Sequence, residues 1–203
     1  MGYLNKMNII NQLIRKCGYC VIKISVGKIR ASTSFAKNYF NNRSINAVEI
    51  GVYRGINAKS ILKELNVNKI YLIDPYIGEL TTHDDILIIK AERKANKLLK
   101  DYERKIIWLK EMSENTLDKV GEPDFIYIDG NHEYKFVKKD IELYYKVLKE
   151  GGILAGDDFA LPDVSKAFWE FVIGNKINPN NVYYAKSDWW IIKQKEGFNS
   201  SHD

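Results

Sequence analysis

The sequence predicts an α/β fold built on a mostly parallel, seven-stranded sheet with helices on both faces. From Asn46 onward, short apolar runs alternate with segments whose apolar residues recur at helical spacing. Several of these runs end in a glycine or an aspartate, which are common where a strand turns into a loop. The last two apolar runs follow each other with only a tight turn between them, which predicts an antiparallel hairpin.

The first 45 residues differ from the rest of the chain. Apolar residues recur there at helical spacing, at Ile10, Leu13, Ile14, Cys17 and Val21. Such a helix favours a cover over the core or a pocket, and a basic helix on a membrane surface is the alternative. A second helix is predicted over residues 33–42. We therefore expect an N-terminal helical cap segment (1–45), a main domain (46–195) and a short tail (196–203).

The main domain contains five alternating strands and helices. The strands are predicted in NAVEIGV, KIYLIDPY, KIIWL, DFIYIDG and GGILAGDDF. The helices are predicted in INAKSILKEL, KAERKANKLLKDYE, NTLDKV, YKFVKKDIELYYKVLKE and SKAFWEFVIG. The segment NVYYAKSDWWIIKQK adds two strands joined by a turn near Ser187 and Asp188. Because strands that alternate with helices form right-handed crossovers, the pattern predicts a doubly wound, Rossmann-like sheet with an antiparallel C-terminal hairpin.

Composition excludes several classes of protein. Apolar residues make up 45% of the chain and charged residues 28%, which is typical of a globular domain. The net charge of +5 comes without a nucleic-acid-binding motif. Basic residues interrupt every apolar run well before the ~18 residues that a membrane span needs, and no signal peptide is evident. The only two cysteines, Cys17 and Cys20, are too few for a zinc site. We expect a cytoplasmic protein.

The first strand ends in a glycine-containing turn beside an acid. Gly51 and Gly55 form a G-x-x-x-G pattern in which Tyr53 stands where a dinucleotide fingerprint has its middle glycine. This departure argues against a pyrophosphate-containing cofactor. Glu49 suits the ammonium group of an amino acid better than it suits a phosphate. An ordinary junction between a strand and a helix is the alternative.

The second strand ends at Asp74, 23 positions after Gly51. An acidic side chain at this place can accept hydrogen bonds from both hydroxyls of a ribose. The alternative is a turn residue of an Asp-Pro pair. Together the two strand ends favour an adenosyl nucleoside with an amino-acid tail, and S-adenosylmethionine is the common compound of that kind.

Three aspartates end the fourth and fifth strands. Asp129 ends one strand, and Asp157 and Asp158 end the next. Such clustering is costly unless a cation neutralises it, and oxygen ligands suit Mg²⁺ and tolerate Mn²⁺ or Ca²⁺. His132 follows Asp129 by three positions, and an imidazole suits a general base near neutral pH. Turn-forming aspartates and a structural histidine are the alternatives.

The segments VEIGVYRG, IDPY and FIYIDGNHEY, with DIELYYKVLKEGGILAGDDF, resemble class I S-adenosylmethionine-dependent methyltransferases. Within that class they are similar to the group that contains macrolide sugar O-methyltransferases, over residues 46–171. Asn131 stands where that group usually has an aspartate. The resemblance implies Mg²⁺ bound by Asp129, Asp157 and Asp158, His132 as the general base, and cofactor contacts from Glu49, Gly51, Asp74, Met112, Ser113 and Asp129. Residues 1–45 match no motif of the group, although in relatives that region helps to form the acceptor pocket and the oligomer.

The resemblance implies Mg²⁺-dependent methylation of a hydroxyl on a small molecule, a sugar or sugar-containing metabolite. Nucleic acid is not an expected partner, and a homo-oligomer is left open. Two other functions stay open at this point. One is a cofactor-binding protein without catalysis, which would have no use for a metal and a base. The other is a nicotinamide-dependent oxidoreductase, against which Tyr53 argues.

Overall fold

The sheet has the seven strands that the sequence predicts. We describe the protein from a computed structural model, which defines residues 29–78 and 85–194. The strands are β1 (Ile45–Ile50), β2 (Val67–Ile73), β3 (Ile106–Leu109), β4 (Phe125–Ile128), β5 (Ile153–Gly156), β6 (Val182–Ala185) and β7 (Asp188–Ile192). Their order is β3-β2-β1-β4-β5-β7-β6, with β1 to β5 parallel and β7 antiparallel to both of its neighbours. The predicted fold class is confirmed.

Helices cover both faces of this sheet. They are α1 (Ala31–Phe40), α2 (Ile56–Glu64), α3 (Asp85–Leu99), α4 (Tyr134–Val147) and α5 (Pro162–Gly174). α1 and α2 share one buried core with Ala47 and Leu72, and α4 and α5 share the other with Val48 and Ile73. Because both faces are buried, a ligand can approach the parallel strands only at their ends, and in sheets of this kind ligands bind at the carboxyl ends. None of the helices in the described ranges is long and apolar enough to cross a membrane.

Parts of the sequence prediction lie outside the described ranges. These parts are the amphipathic helix near residues 10–21, both cysteines and the tail 196–203. The second predicted helix is α1, which begins two residues earlier than predicted and ends before Asn41 and Asn42. Both asparagines have left-handed backbone angles, with φ of 45° and 61°, which is typical of a helix C-terminus.

One predicted helix is wrong. The segment NTLDKV forms a turn that follows a short 3₁₀ helix, Ser113–Asn115. The Ser113 carbonyl accepts hydrogen bonds from the backbone N–H and the hydroxyl of Thr116 and from the hydroxyl of Tyr144. It is therefore not available to the N–H of Leu117, whose hydrogen bond would continue an α-helix. α3 begins before the predicted segment, and a 3₁₀ helix, Lys100–Lys105, replaces its predicted end.

A buried carboxylate attaches α1 to the sheet. Asp188, the first residue of β7, is 1% exposed. Its Oδ2 accepts hydrogen bonds from the backbone N–H of Ser32 at 2.9 Å and from the Ser32 hydroxyl at 2.7 Å. Its Oδ1 accepts from the hydroxyl of Tyr127 in β4 at 3.1 Å and from Nη1 of Arg30 at 3.3 Å. α1 therefore packs into the core through a charged side chain that the free helix N-terminus also stabilises.

Asp188→Ala should lower the free energy of unfolding by about 3–5 kcal/mol, because it leaves a partly buried guanidinium and several buried donors without an acceptor. Urea unfolding of the purified chain measures this loss. Ser32→Ala, which removes one hydroxyl and keeps the carboxylate, should cost only about 1 kcal/mol. Equal losses for the two variants would contradict the assigned role of Asp188.

Candidate active site

A cavity of about 1330 Å³ lies at the carboxyl ends of the parallel strands. Loops that follow β1, β2, β3 and β4 line it, together with the start of α1 and the turn between β6 and β7. All of the residues predicted to bind the cofactor line this cavity, and so does His132; the cofactor residues are Glu49, Gly51, Asp74, Met112, Ser113 and Asp129. The folded chain therefore brings together residues that are up to 83 positions apart in sequence.

The loop after β1 is held against two other strands. Gly51 has φ of +82°, and a Cβ at this position would lie 2.0 Å from the carbonyl oxygen of Asp129. Only glycine can occupy this position without displacing Asp129. Gly55 has φ of +72° and forms the N-terminal cap of α2. The two glycines that the sequence singled out therefore have different structural roles.

Asp74 has a second role that sequence reasoning missed. Its Oδ2 accepts the backbone N–H groups of Val52 at 3.0 Å and Tyr53 at 2.8 Å. Its Oδ1 accepts the backbone N–H of Tyr76 at 2.8 Å. Asp74 therefore holds the β1 loop in place. Since a carboxylate oxygen can accept two hydrogen bonds, Oδ1 retains one acceptor position for a ligand.

Glu49 is a deeply buried acid of the cavity, with 1% of its surface exposed. Its Oε1 accepts a hydrogen bond from the Asn57 side chain at 2.9 Å, and its buried Oε2 has no hydrogen-bond partner within the described part of the chain. Burial raises the pKa of Glu49 to about 8, against the opposing effect of the Asn57 hydrogen bond. A carboxyl group in this state gains strongly from a cationic ligand. The sequence did not single out Asn57, which belongs to α2.

Ser113 and Asp140 form a pair on the β3 side of the cavity. The Ser113 hydroxyl donates to Oδ1 of Asp140 at 2.5 Å, and Met112 precedes it at the cavity wall. Burial raises the pKa of Asp140 to about 6, although the Ser113 hydrogen bond opposes that shift. Asp140 belongs to α4. The sequence analysis used the spacing of the apolar residues in α4 and did not single out Asp140. An acid directly before the buried residue Ile141 was the available signal.

Asp129, His132 and Asp158 meet at the ends of β4 and β5. Nε2 of His132 lies 3.1 Å from Oδ2 of Asp158 and 3.6 Å from Oδ1 of Asp129. One ligand atom from each of the three residues lies within 4.8 Å of the others, which is close enough for a shared metal ion. Two carboxylates and an imidazole suit Mn²⁺ and are compatible with Mg²⁺. The contact with the Asp129 carboxylate is the main cause that raises the pKa of His132, and burial raises the pKa of Asp129.

Asp157, the third predicted metal ligand, is bound to an arginine. One of its oxygens forms an ion pair with Nη1 of Arg30, and the other is buried without a hydrogen-bond partner among the described residues. Burial alone would raise the pKa of Asp157, but the hydrogen bonds from Arg30 and Ser187 outweigh it and lower that pKa below its usual value. Arg30 also lies 3.6 Å from Asp129 and 3.3 Å from Asp188. We call Asp129, Asp157, Asp158 and Asp188 the acidic cluster.

Sequence comparison places the chain among methyltransferases. Residues 48–159, more than half of the chain, match the family model described as "Methyltransferase domain". Among curated proteins, an uncharacterized protein of Acanthamoeba polyphaga mimivirus is 24% identical over 127 residues. This alignment takes in 60% of the chain and 55% of the relative, so the chain spans about half of the relative's length.

Three solved structures show the same fold. The O-methyltransferase NovP superposes with a TM-score of 0.57 at 14% identity, over 80% of this chain and 78% of NovP. An rRNA methylase from Streptococcus thermophilus gives 0.58 at 14%, over 83% and 100% of the two chains. The N-methyltransferase NodS from Bradyrhizobium japonicum gives 0.53 at 13%, over 81% and 94%.

At such identities the structural likeness concerns the fold alone, and the three names differ in the methyl acceptor they give: an oxygen, an rRNA and a nitrogen. The family match is independent of it and covers the strand ends that form the cavity. The chain therefore belongs to the methyltransferase domain family, of the class I S-adenosylmethionine-dependent type.

Proposed function

We propose that the protein is an S-adenosylmethionine-dependent O-methyltransferase that uses a divalent cation and methylates a hydroxyl of a small molecule. A sugar or another compound with neighbouring hydroxyls is the proposed acceptor. The observation that carries this proposal is a cavity with acidic side chains at two separate ends. One end is the buried carboxyl of Glu49, and the other is lined by Asp129 and by His132, whose Nε2 lies 3.1 Å from Oδ2 of Asp158 just outside the cavity lining.

The first end suits the amino-acid part of S-adenosylmethionine. The unpartnered Oε2 of Glu49 can accept the ammonium group of the methionine part. Gly51 lines the cavity and lets the β1 loop lie against Asp129, and Asp74 has one acceptor position left for a ribose hydroxyl. We assign Met112 and Ser113 to the adenine, with Asp140 behind Ser113.

The second end suits an acceptor hydroxyl. Asp129 and Asp158 would hold a divalent ion, and Asp157 would be the third ligand once it separates from Arg30. Such an ion makes a bound hydroxyl more acidic and fixes its orientation. His132 would take the hydroxyl proton on Nε2, and the resulting oxygen nucleophile would attack the methyl group while the bond from carbon to sulfur breaks. Orientation within the cavity supplies much of the rate enhancement.

A cofactor-binding protein without catalysis is the alternative from a different class. It would have no use for the arrangement of Asp129, His132 and Asp158. An oxidoreductase would need a nicotinamide cofactor, whose pyrophosphate the G-x-x-x-G turn with Tyr53 at its centre does not favour. Transfer of a labelled methyl group to an acceptor separates the proposed function from both alternatives.

His132→Ala should lower turnover by about 10²–10⁴-fold, the contribution typical of a general base, and should leave the affinity for S-adenosylmethionine nearly unchanged. The assay follows labelled methyl transfer from S-adenosylmethionine to a panel of sugars and catechols, with Mg²⁺ and with a chelator. Cofactor affinity is measured separately by calorimetry.

The matched control for this variant is Lys138→Ala, on the exposed side of α4, where Lys138 pairs with Glu170 at 3.4 Å. That variant should keep full turnover. A His132→Ala protein with normal turnover would remove His132 as the base. Tight cofactor binding with no transfer to any acceptor in the wild-type protein would favour the alternative without catalysis.

Glu49 should make cofactor binding depend on pH in a defined direction. With its pKa at about 8, Glu49 is mostly protonated in the free protein at pH 7, and an ammonium group favours its ionised form. Binding should therefore release close to one proton, and affinity should rise about tenfold per pH unit between pH 6 and 7. Calorimetry in buffers of different ionisation enthalpy measures the proton release.

Glu49→Gln should abolish both the proton release and the pH dependence. Glu133→Gln is the matched control, because Glu133 lines the same cavity with 61% of its side chain exposed. An unchanged proton release in Glu49→Gln would show that another group binds the ammonium.

A further inference from the structure

Arg30 places a positive charge inside the acidic cluster. Its Nη1 pairs with Asp157 and lies 3.3 Å from Asp188, and its Nη2 lies 3.6 Å from Oδ2 of Asp129. Only 30% of the Arg30 side chain is exposed. Two of its three carboxylate partners, Asp129 and Asp157, are also predicted ligands of the divalent cation. The guanidinium and that cation would therefore share two carboxylates, those of Asp129 and Asp157.

Arg30 also has contacts that do not depend on those two ligands, although Asp188 shares Nη1 with Asp157. Asp188 is buried and fixed by Ser32 and Tyr127, and the guanidinium carbon lies 5.6 Å from the centre of the Tyr127 ring. Arg30 can thus release Asp157 and keep its contacts with Asp188 and the ring. Asp157 contacts Arg30 through Oδ2, and its buried Oδ1 has no hydrogen-bond partner in the described residues. A rotation of the Asp157 side chain would make an oxygen available to a cation.

We propose that Arg30 competes with the divalent cation for Asp157 and so weakens cation binding at this site. The inference rests on the proposed metal site at Asp129 and Asp158. Arg30 offsets the repulsion among the carboxylates of the acidic cluster when no cation is bound. A divalent cation that binds here must either displace the guanidinium from Asp157 or bind without Asp157 as a ligand. Arg30 is a positioning residue in this account, because it acts through Asp157.

The test is a double-mutant cycle on Mn²⁺ affinity, measured from the electron paramagnetic resonance signal of free Mn²⁺ at constant pH and ionic strength. Arg30→Met should tighten binding at least about tenfold, within the range known for close charge pairs. Asp157→Asn alone should change affinity by less than about threefold, because Arg30 already occupies that carboxylate. In the Arg30→Met background, Asp157→Asn should remove most of the gain.

Arg43→Met is the matched control. Arg43 pairs with Asp124 at 3.2 Å beside the start of β4, at the amino ends of the strands, and its loss should leave Mn²⁺ affinity unchanged. Thermal unfolding of each variant checks that it is folded. Asp157→Asn in the wild-type background tests the inference even if Arg30→Met does not fold.

The outcomes separate this inference from the proposed function. Loss of Mn²⁺ binding in Asp157→Asn alone would show that Asp157 is a ligand that Arg30 does not block. Equal Mn²⁺ affinity in Arg30→Met and the wild type would exclude competition between Arg30 and the cation. A gain that persists in the double variant would show that Arg30 acts through its charge and not through Asp157. If neither the wild type nor Arg30→Met binds Mn²⁺ at millimolar concentrations, the metal site itself is wrong, and the inference falls with it.

Discussion

The structure depends on the buried carboxylate of Asp188. It accepts hydrogen bonds from the start of α1, from Tyr127 in β4 and from Arg30, and it lies in β7 itself. The Asp188 carboxylate therefore binds the start of α1 to the central strand β4. It also positions the guanidinium of Arg30 beside the ends of β4 and β5. Fold and site share this interaction, because a helix that moved away from the sheet would take Arg30 out of the acidic cluster.

Several acidic side chains of the cavity are buried, and a nearby positive charge would stabilise their ionised form. Burial raises the pKa values of Glu49 and Asp129, which means that each carboxylate is poorly solvated in the folded protein. The partners differ from one acid to the next. Glu49 has one amide donor, Asp129 has His132 and Arg30, and Asp157 has Arg30. Under the proposed function, this difference would let one cavity bind an ammonium group at Glu49 and a metal ion beside Asp129.

The strands and most helices could be predicted because the spacing of apolar residues in the sequence follows from their burial on the two faces of the sheet. The place of the acids at the strand ends could be predicted, as with Asp129, which lines the cavity, and Asp158, which lies beside His132. Asn57, Asp140 and Arg30 could not be, because each enters the cavity from a helix or its start, and only the folded chain brings it to a strand end. The hydrogen bonds that Asp74 accepts from the β1 loop could not be predicted either. From sequence alone, an acid at a strand end fits a ligand contact as well as it fits a contact with a neighbouring loop.

The central claim is that this cavity binds S-adenosylmethionine. Calorimetric titration of S-adenosylmethionine into the purified chain, with NADH as the control titrant, tests it most directly. The account predicts binding near the micromolar range, about −8 kcal/mol, and no heat from NADH. A folded protein that gives no heat with S-adenosylmethionine, or that binds NADH instead, would contradict the account and leave the buried carboxyl of Glu49 without its proposed ligand.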